Sequence, residues 1–71
     1  MKKDVLLKEL GNRIREIRKK NKLTQTELAH SVGKDQQSIQ RLEAGNVNPT
    51  IYYLQELAEG LEVEVWQLVK L

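Results

Sequence analysis

A chain of 71 residues that is 39% hydrophobic and 31% charged, with one Pro and four Gly, has room for one domain and one small apolar core. It contains no Cys, which excludes a disulfide framework or a thiolate zinc site and suits a reducing cytoplasm; it has neither an apolar signal stretch near its start nor a run long enough to span a bilayer, so export and membrane insertion are not expected. The net charge of +2 is split, with nine Lys and Arg against three Asp and Glu in residues 1–22, and three against seven in residues 23–71, a pattern that suits an anionic partner on one face or a merely solvated helix surface.

Leu7, Leu10, Ile14 and Ile17 recur at spacings of three and four, which predicts a first helix over about residues 4 to 20. Gly11 falls inside it and weakens it by about 1 kcal/mol relative to Ala. Asn21 and Lys22 end it. The run Thr24-Gln25-Thr26-Glu27 has the form of a capping box, in which Thr24 and Glu27 satisfy each other's backbone amides, and it opens a second helix over about 24 to 32. Leu28, Ala29 and Val32 form the inner face of that helix, and Gly33 stops it in the left-handed conformation. Asp35 caps a third helix over about 36 to 43 whose apolar side is Ile39 and Leu42, and Gly45 stops it.

Pro49 disfavours helix at Asn48, so Asn46 to Asn48 form a loop, and Thr50 caps a fourth helix that is expected to turn Ile51, Leu54, Leu57, Ala58 and Leu61 inward. A fifth helix is expected over about 64 to 70, with Val65, Leu68 and Val69 apolar and Trp66 on or beside the stripe. No alternating strand pattern competes, and no repeat or low-complexity segment is present.

The second helix, the glycine turn and the third helix are the parts of a helix-turn-helix, with its core at about 24 to 43. Gln36, Gln37, Gln40 and Arg41 project from the outer side of the third helix, away from Ile39 and Leu42. Carboxamides suit the N6 and N7 of adenine in a major groove, and an Arg suits the O6 and N7 of guanine. Outside such a motif, the same residues would read simply as a soluble helix surface.

The stretch from Leu10 to Leu68 resembles the phage-repressor and Cro-like, or Xre-like, helix-turn-helix family. The resemblance rests on Leu23-Thr24-Gln25 with Glu27-Leu28-Ala29, then Gly33, Ser38-Ile39, Glu43 with Gly45, Pro49, and Leu57-Ala58 with Leu61. It implies an all-α, five-helix bundle of the lambda-repressor type and a regulator of transcription that binds double-stranded DNA as a homodimer on a pseudo-palindromic operator; the chain length points to a single domain over 1–71, and no cofactor or metal is expected. It also implies residue roles. Gln36, Gln37 and Arg41 become base readers, with Gln40 at the edge of reach. Gln25 touches phosphate and steadies Gln36, and Arg18 pairs with Glu43 while approaching phosphate. Asn46, Asn48 and Thr50 offer polar groups to the DNA backbone.

Departures from the family pattern are Asp35 where Ser or Thr is usual, Lys34 where relatives are often apolar, and Glu64 at a usual Ser or Thr cap position. Asp35 brings a negative charge toward phosphates, and Lys34 is placed to offset it as a backbone contact. Ala44 and the uncharged Asn46-Val47-Asn48 loop supply few cations. Val65, Trp66 and Val69, with Leu71, form a C-terminal apolar patch that is expected either to pair two copies of the chain or to place Trp66 in the core.

His30, the single histidine, is expected on the outer side of the second helix and makes no metal site alone. Tyr52 and Tyr53 are expected on the surface of the fourth helix or at dimer contacts, rather than as base-stacking platforms. An antitoxin-type module that binds a protein partner as well as DNA is the alternative. An enzyme is disfavoured, since no nucleophile and base constellation stands out.

Overall fold

Short-range capping defines most of the helix boundaries in the computed structural model, which describes residues 2–71. The elements are α1 (Lys3–Lys20), α2 (Gln25–Ser31), α3 (Gln36–Glu43), α4 (Ile51–Leu61) and α5 (Val65–Leu68), with no strand among the described residues. Thr24 Oγ1 accepts from the Glu27 amide at 3.0 Å, and the Thr24 amide donates to Glu27 Oε1 at 2.8 Å, completing the capping box of α2. Asp35 Oδ1 accepts from the Ser38 amide at 2.8 Å to open α3, and Thr50 Oγ1 accepts from the Tyr53 amide at 3.0 Å to open α4. At α5 Glu64 holds the N-cap position, and its amide donates to Gln67 Oε1 at 2.8 Å, the returning half of a capping box.

The helix ends follow the left-handed pattern. Gly33 (φ 68°) and Gly45 (φ 80°) close α2 and α3, and the amides of Lys34 and Asn46 reach back to Ala29 O and Arg41 O at 2.9 and 3.0 Å. Lys22 and Glu62, both at φ 58°, do the same after α1 and α4 without being glycine. Asn21 Nδ2 also donates to Leu61 O at 2.7 Å, tying the end of α1 to the end of α4.

One apolar cluster joins all five helices: Leu10, Ile14 and Ile17 from α1, Leu28 and Ala29 from α2, Ile39 and Leu42 from α3, Leu54, Leu57, Ala58 and Leu61 from α4, and Leu68 from α5. Each fully covered aliphatic side chain contributes about 1.5–3 kcal/mol. Two expectations are corrected here. Ile51 is 71% exposed rather than inward, because it is the first residue of α4, where the helix overhangs the core and its stripe finds nothing to cover it until Leu54. The fifth helix ends at Leu68 rather than 70. Leu68 is its one buried residue, and Val69 and Leu71 beyond it have no core left to join.

Gly11 has a structural reason. A Cβ on it would lie 2.4 Å from Glu43 O and 2.6 Å from Leu42 O, so the absent side chain is what lets α1 press onto the last turn of α3.

Candidate nucleic-acid interface

Helix α3 lies on the core through Ile39 and Leu42, 0% and 1% exposed. That fixes its rotation. Gln37, Gln40 and Arg41 are consequently exposed and Gln36 half-buried, and positions 36, 37, 40 and 41 fall on one side at helical spacing. The expected base readers therefore share one outward face.

Behind that face runs a chain of hydrogen bonds. Arg18 Nε donates to Glu43 Oε2 at 2.6 Å and Arg18 Nη2 to Glu43 Oε1 at 3.0 Å, a bidentate pair in which both residues are buried. Arg18 Nη1 donates to Leu23 O at 2.7 Å. Gln25 Nε2 donates to the same Glu43 Oε1 at 3.0 Å, and Gln36 Nε2 donates to Gln25 Oε1 at 2.7 Å. Four side chains from three helices are thus linked from the core outward to α3. The link between Gln25 and Glu43 was not foreseen; residues 18 apart carry no local signal for it.

Arg18 is revised by this geometry. The expected pair with Glu43 is present, but at 7% exposure, with three guanidinium nitrogens donating internally, Arg18 holds α1 to α3 and is not presented to phosphate as also expected. Among the other residues expected at the DNA backbone, Asn46, Asn48 and Thr50 are exposed and Gln25 is half-buried. Lys34 is exposed, yet its Nζ sits 5.3 Å above the Tyr53 ring and 3.9 Å from Glu56 Oε1, so α4 draws it sideways.

Tyr53 also differs from the surface position expected for it: it is half-buried, packs against the core, and its hydroxyl is covered without a hydrogen-bond partner. Burial raises its phenol pKa first of all, with Glu56 and Asp35 adding to the rise. Tyr52, by contrast, is 72% exposed.

The Asp35 carboxyl is held below the usual carboxylate range by hydrogen bonds from the side chain and backbone of Ser38, with the positive charge of Arg41 a smaller contribution. Its negative charge therefore persists beside Arg41 at the start of α3. Glu56, Glu59 and Glu62 line an acidic depression beside Ser31 and Val32 at the end of α2.

At the C-terminal end, Trp66, Val69 and Leu71 are 58%, 47% and 51% exposed, while Val65 is half-buried against the core. Leu68, not Trp66, closes the core. Val69 and Leu71 border a groove shared with Leu6, Pro49 and Leu54. Among the described residues, no three His, Asp or Glu side chains are grouped to hold a metal ion, and no helix is long and apolar enough to cross a membrane.

With this geometry in place, comparisons with known proteins agree on one family. The helix-turn-helix family model matches residues 14–65. An uncharacterized HTH-type transcriptional regulator of Sinorhizobium fredii, y4dJ, is 39% identical over 62 residues, spanning 87% of this chain and 80% of its own. The restriction-modification controller protein C.AhdI from Aeromonas hydrophila superposes with a TM-score of 0.85 at 32% identity, over 87% of this chain and 94% of the other. A second controller protein, C.Esp1396I, solved as a tetramer in complex with its natural 35 base-pair operator, gives a TM-score of 0.78 at 29% identity over 92% of this chain and 96% of its own.

Proposed function

This chain belongs to the Xre/Cro-like helix-turn-helix family of DNA-binding transcription regulators, and from that premise we propose that it is a repressor acting by occupancy of a specific operator. The observation that carries the proposal is the outward face of α3, where Gln36, Gln37, Gln40 and Arg41 lie together over a covered Ile39 and Leu42. A carboxamide or guanidinium on such a face meets base edges when the helix enters a major groove. Gln25, Lys34, Asn46, Asn48 and Thr50 flank it and supply contacts to the phosphates that fix register.

We assign pairing of two copies to the exposed apolar side chains at the C-terminal end, Trp66 and Val69 with Val65 beside them. Two-fold pairing would place two recognition helices about 34 Å apart on one side of the duplex and favour a pseudo-palindromic site. The proposal requires no cofactor, metal or catalysis, and places the protein with DNA in the cytoplasm. The operator tetramer of C.Esp1396I supports this reading by likeness.

Selection of bound duplexes from a random pool tests the proposal. An enriched motif with two-fold symmetry is expected. Recovery of a pool as random as the one supplied would remove it.

A further inference from the structure

Resting on the reading that the outer face of α3 contacts base edges, we propose that Glu43 is a positioning residue: acting through Gln25, it fixes which way round the carboxamide of Gln36 is held and so makes Gln36 selective for adenine over guanine. A carboxylate only accepts hydrogen bonds, whereas a carboxamide both donates and accepts and can be turned over at little steric difference. The orientation of each amide therefore depends on its neighbour.

Glu43, with its side chain 2% exposed, receives Arg18 on both oxygens. Gln25 reaches the same Oε1, and only its nitrogen is compatible there, since its oxygen would place two acceptors face to face with no proton between them. Gln25 Oε1 is thereby turned to Gln36, which must answer with its own Nε2, as the 2.7 Å contact shows. Each step has one allowed polarity. The sense of the chain is set by the buried carboxylate at its inner end.

Gln36 is left with its carbonyl oxygen and one N–H uncommitted among the described residues. One acceptor beside one donor matches adenine, whose N6 donates and whose N7 accepts. Guanine presents N7 and O6, both acceptors, and would set its O6 against the Gln36 oxygen. An amide free to turn over could offer both of its N–H groups to guanine instead. Glu43 and Gln25 prevent that turn without touching a base themselves.

The test compares full-length wild type, Gln36→Ala, Gln25→Leu and Glu43→Gln in selection from a random duplex pool. Gln36→Ala identifies the operator position that Gln36 reads. At that position Gln25→Leu, which leaves the pair of Arg18 and Glu43 intact, and Glu43→Gln should each lower the adenine-over-guanine preference by about tenfold, with preferences elsewhere unchanged. An unchanged preference there, or an equal loss at every position, would overturn the positioning role. Should Glu43→Gln not fold by circular dichroism, Glu43→Asp replaces it, keeping a charge for Arg18 while drawing the oxygen back from Gln25.

A wild type that selects no sequence would refute base reading itself, and carboxamide NMR of the free protein then decides the relay. Gln25 and Gln36 side-chain protons should exchange slowly in the wild type, and those of Gln36 should become solvent-like in Gln25→Leu and Glu43→Gln. Solvent-like Gln36 protons in the wild type would overturn it.

Discussion

Replacing Gly11 by Ala sets two physical effects of opposite sign against each other. In an isolated helix the change is favourable by about 1 kcal/mol, because Ala loses less backbone entropy. Here the new methyl would lie 2.4 Å from Glu43 O, 2.6 Å from Leu42 O and 2.8 Å from Glu43 C. All three are backbone atoms of the last turn of α3, so no side chain can swing aside. Restoring ordinary contact at about 3.4 Å moves α1 and α3 apart by about 1 Å, along the same interface that carries the 2.6 and 3.0 Å bonds between Arg18 and Glu43.

Overpacking of this kind costs about 3 kcal/mol at the upper end of its usual range, leaving a net loss of about 2 kcal/mol after the helical gain. In a domain this small that lowers the melting temperature by roughly 8–16 °C. Thermal and urea unfolding followed by circular dichroism measure it. Gly60→Ala is the comparison: its Cβ would meet Val32 Cγ1 at 2.7 Å and Ser31 Oγ at 3.0 Å, side-chain rather than backbone atoms, so its effect should be smaller and should leave the α1–α3 contact in place. If Gly11→Ala raises stability by the 1 kcal/mol or so of intrinsic propensity, the close approach of α1 to α3 is wrong.

Four further outcomes are expected. Gln37→Ala and Arg41→Ala should each weaken preference at one operator position by about 1–3 kcal/mol while leaving the rest of the motif intact; selectivity identical to wild type in a binding competition removes the assignment. Affinity for the selected duplex should fall log-linearly with salt as phosphate contacts release counterions, and a flat response in a titration series would remove the backbone contacts. Trp66→Glu should convert dimer to monomer in analytical ultracentrifugation with the helical signal unchanged, whereas an unchanged mass would mean that pairing does not use this patch.

The fourth concerns acid. The folded pKa values of Glu27 and Asp35 are depressed by their capping hydrogen bonds, so the stability they contribute is present above their unfolded values, about 4.3 and 3.9, and is lost as pH falls through the lower folded values. Asp35→Asn keeps an acceptor at the cap but removes its titration, so urea midpoints should fall less between pH 5 and pH 2 than in the wild type. An equal fall would mean that the Asp35 cap is not what titrates.

What the sequence makes legible here is what short-range physics decides. The caps at Thr24, Asp35 and Thr50 and the stops at Gly33 and Gly45 are each set within a few residues, and α2, α3 and α4 accordingly begin at or within a residue of the positions their sequence signals mark. The direction of the α3 face is likewise local, because Ile39 and Leu42 determine which side turns inward. What escaped depends on where helices stop relative to one another. Ile51 continues the stripe of Leu54 in sequence but overhangs the core in space. Gly11 reads as a weakness until α3 is seen pressed against it.

The pairing of Arg18 with Glu43 is legible through the family resemblance, but not that Leu23 O takes the remaining guanidinium nitrogen and leaves Arg18 enclosed. Tyr53 reads as surface, although Lys34 and the core cover it. The contact of Gln25 with Glu43 follows from the crossing of α2 and α3, which spacing along the chain does not encode.

The central claim, that the outer face of α3 enters the groove, is tested most directly by titrating isotope-labelled protein with the selected duplex and following amide and side-chain resonances. Shifts should concentrate at Gln36, Gln37, Gln40 and Arg41, with smaller ones at Asn46, Asn48 and Thr50, and the acidic depression at Glu59 and Glu62 should stay unmoved. Perturbation centred on any other face, with the α3 side chains silent, would contradict the account.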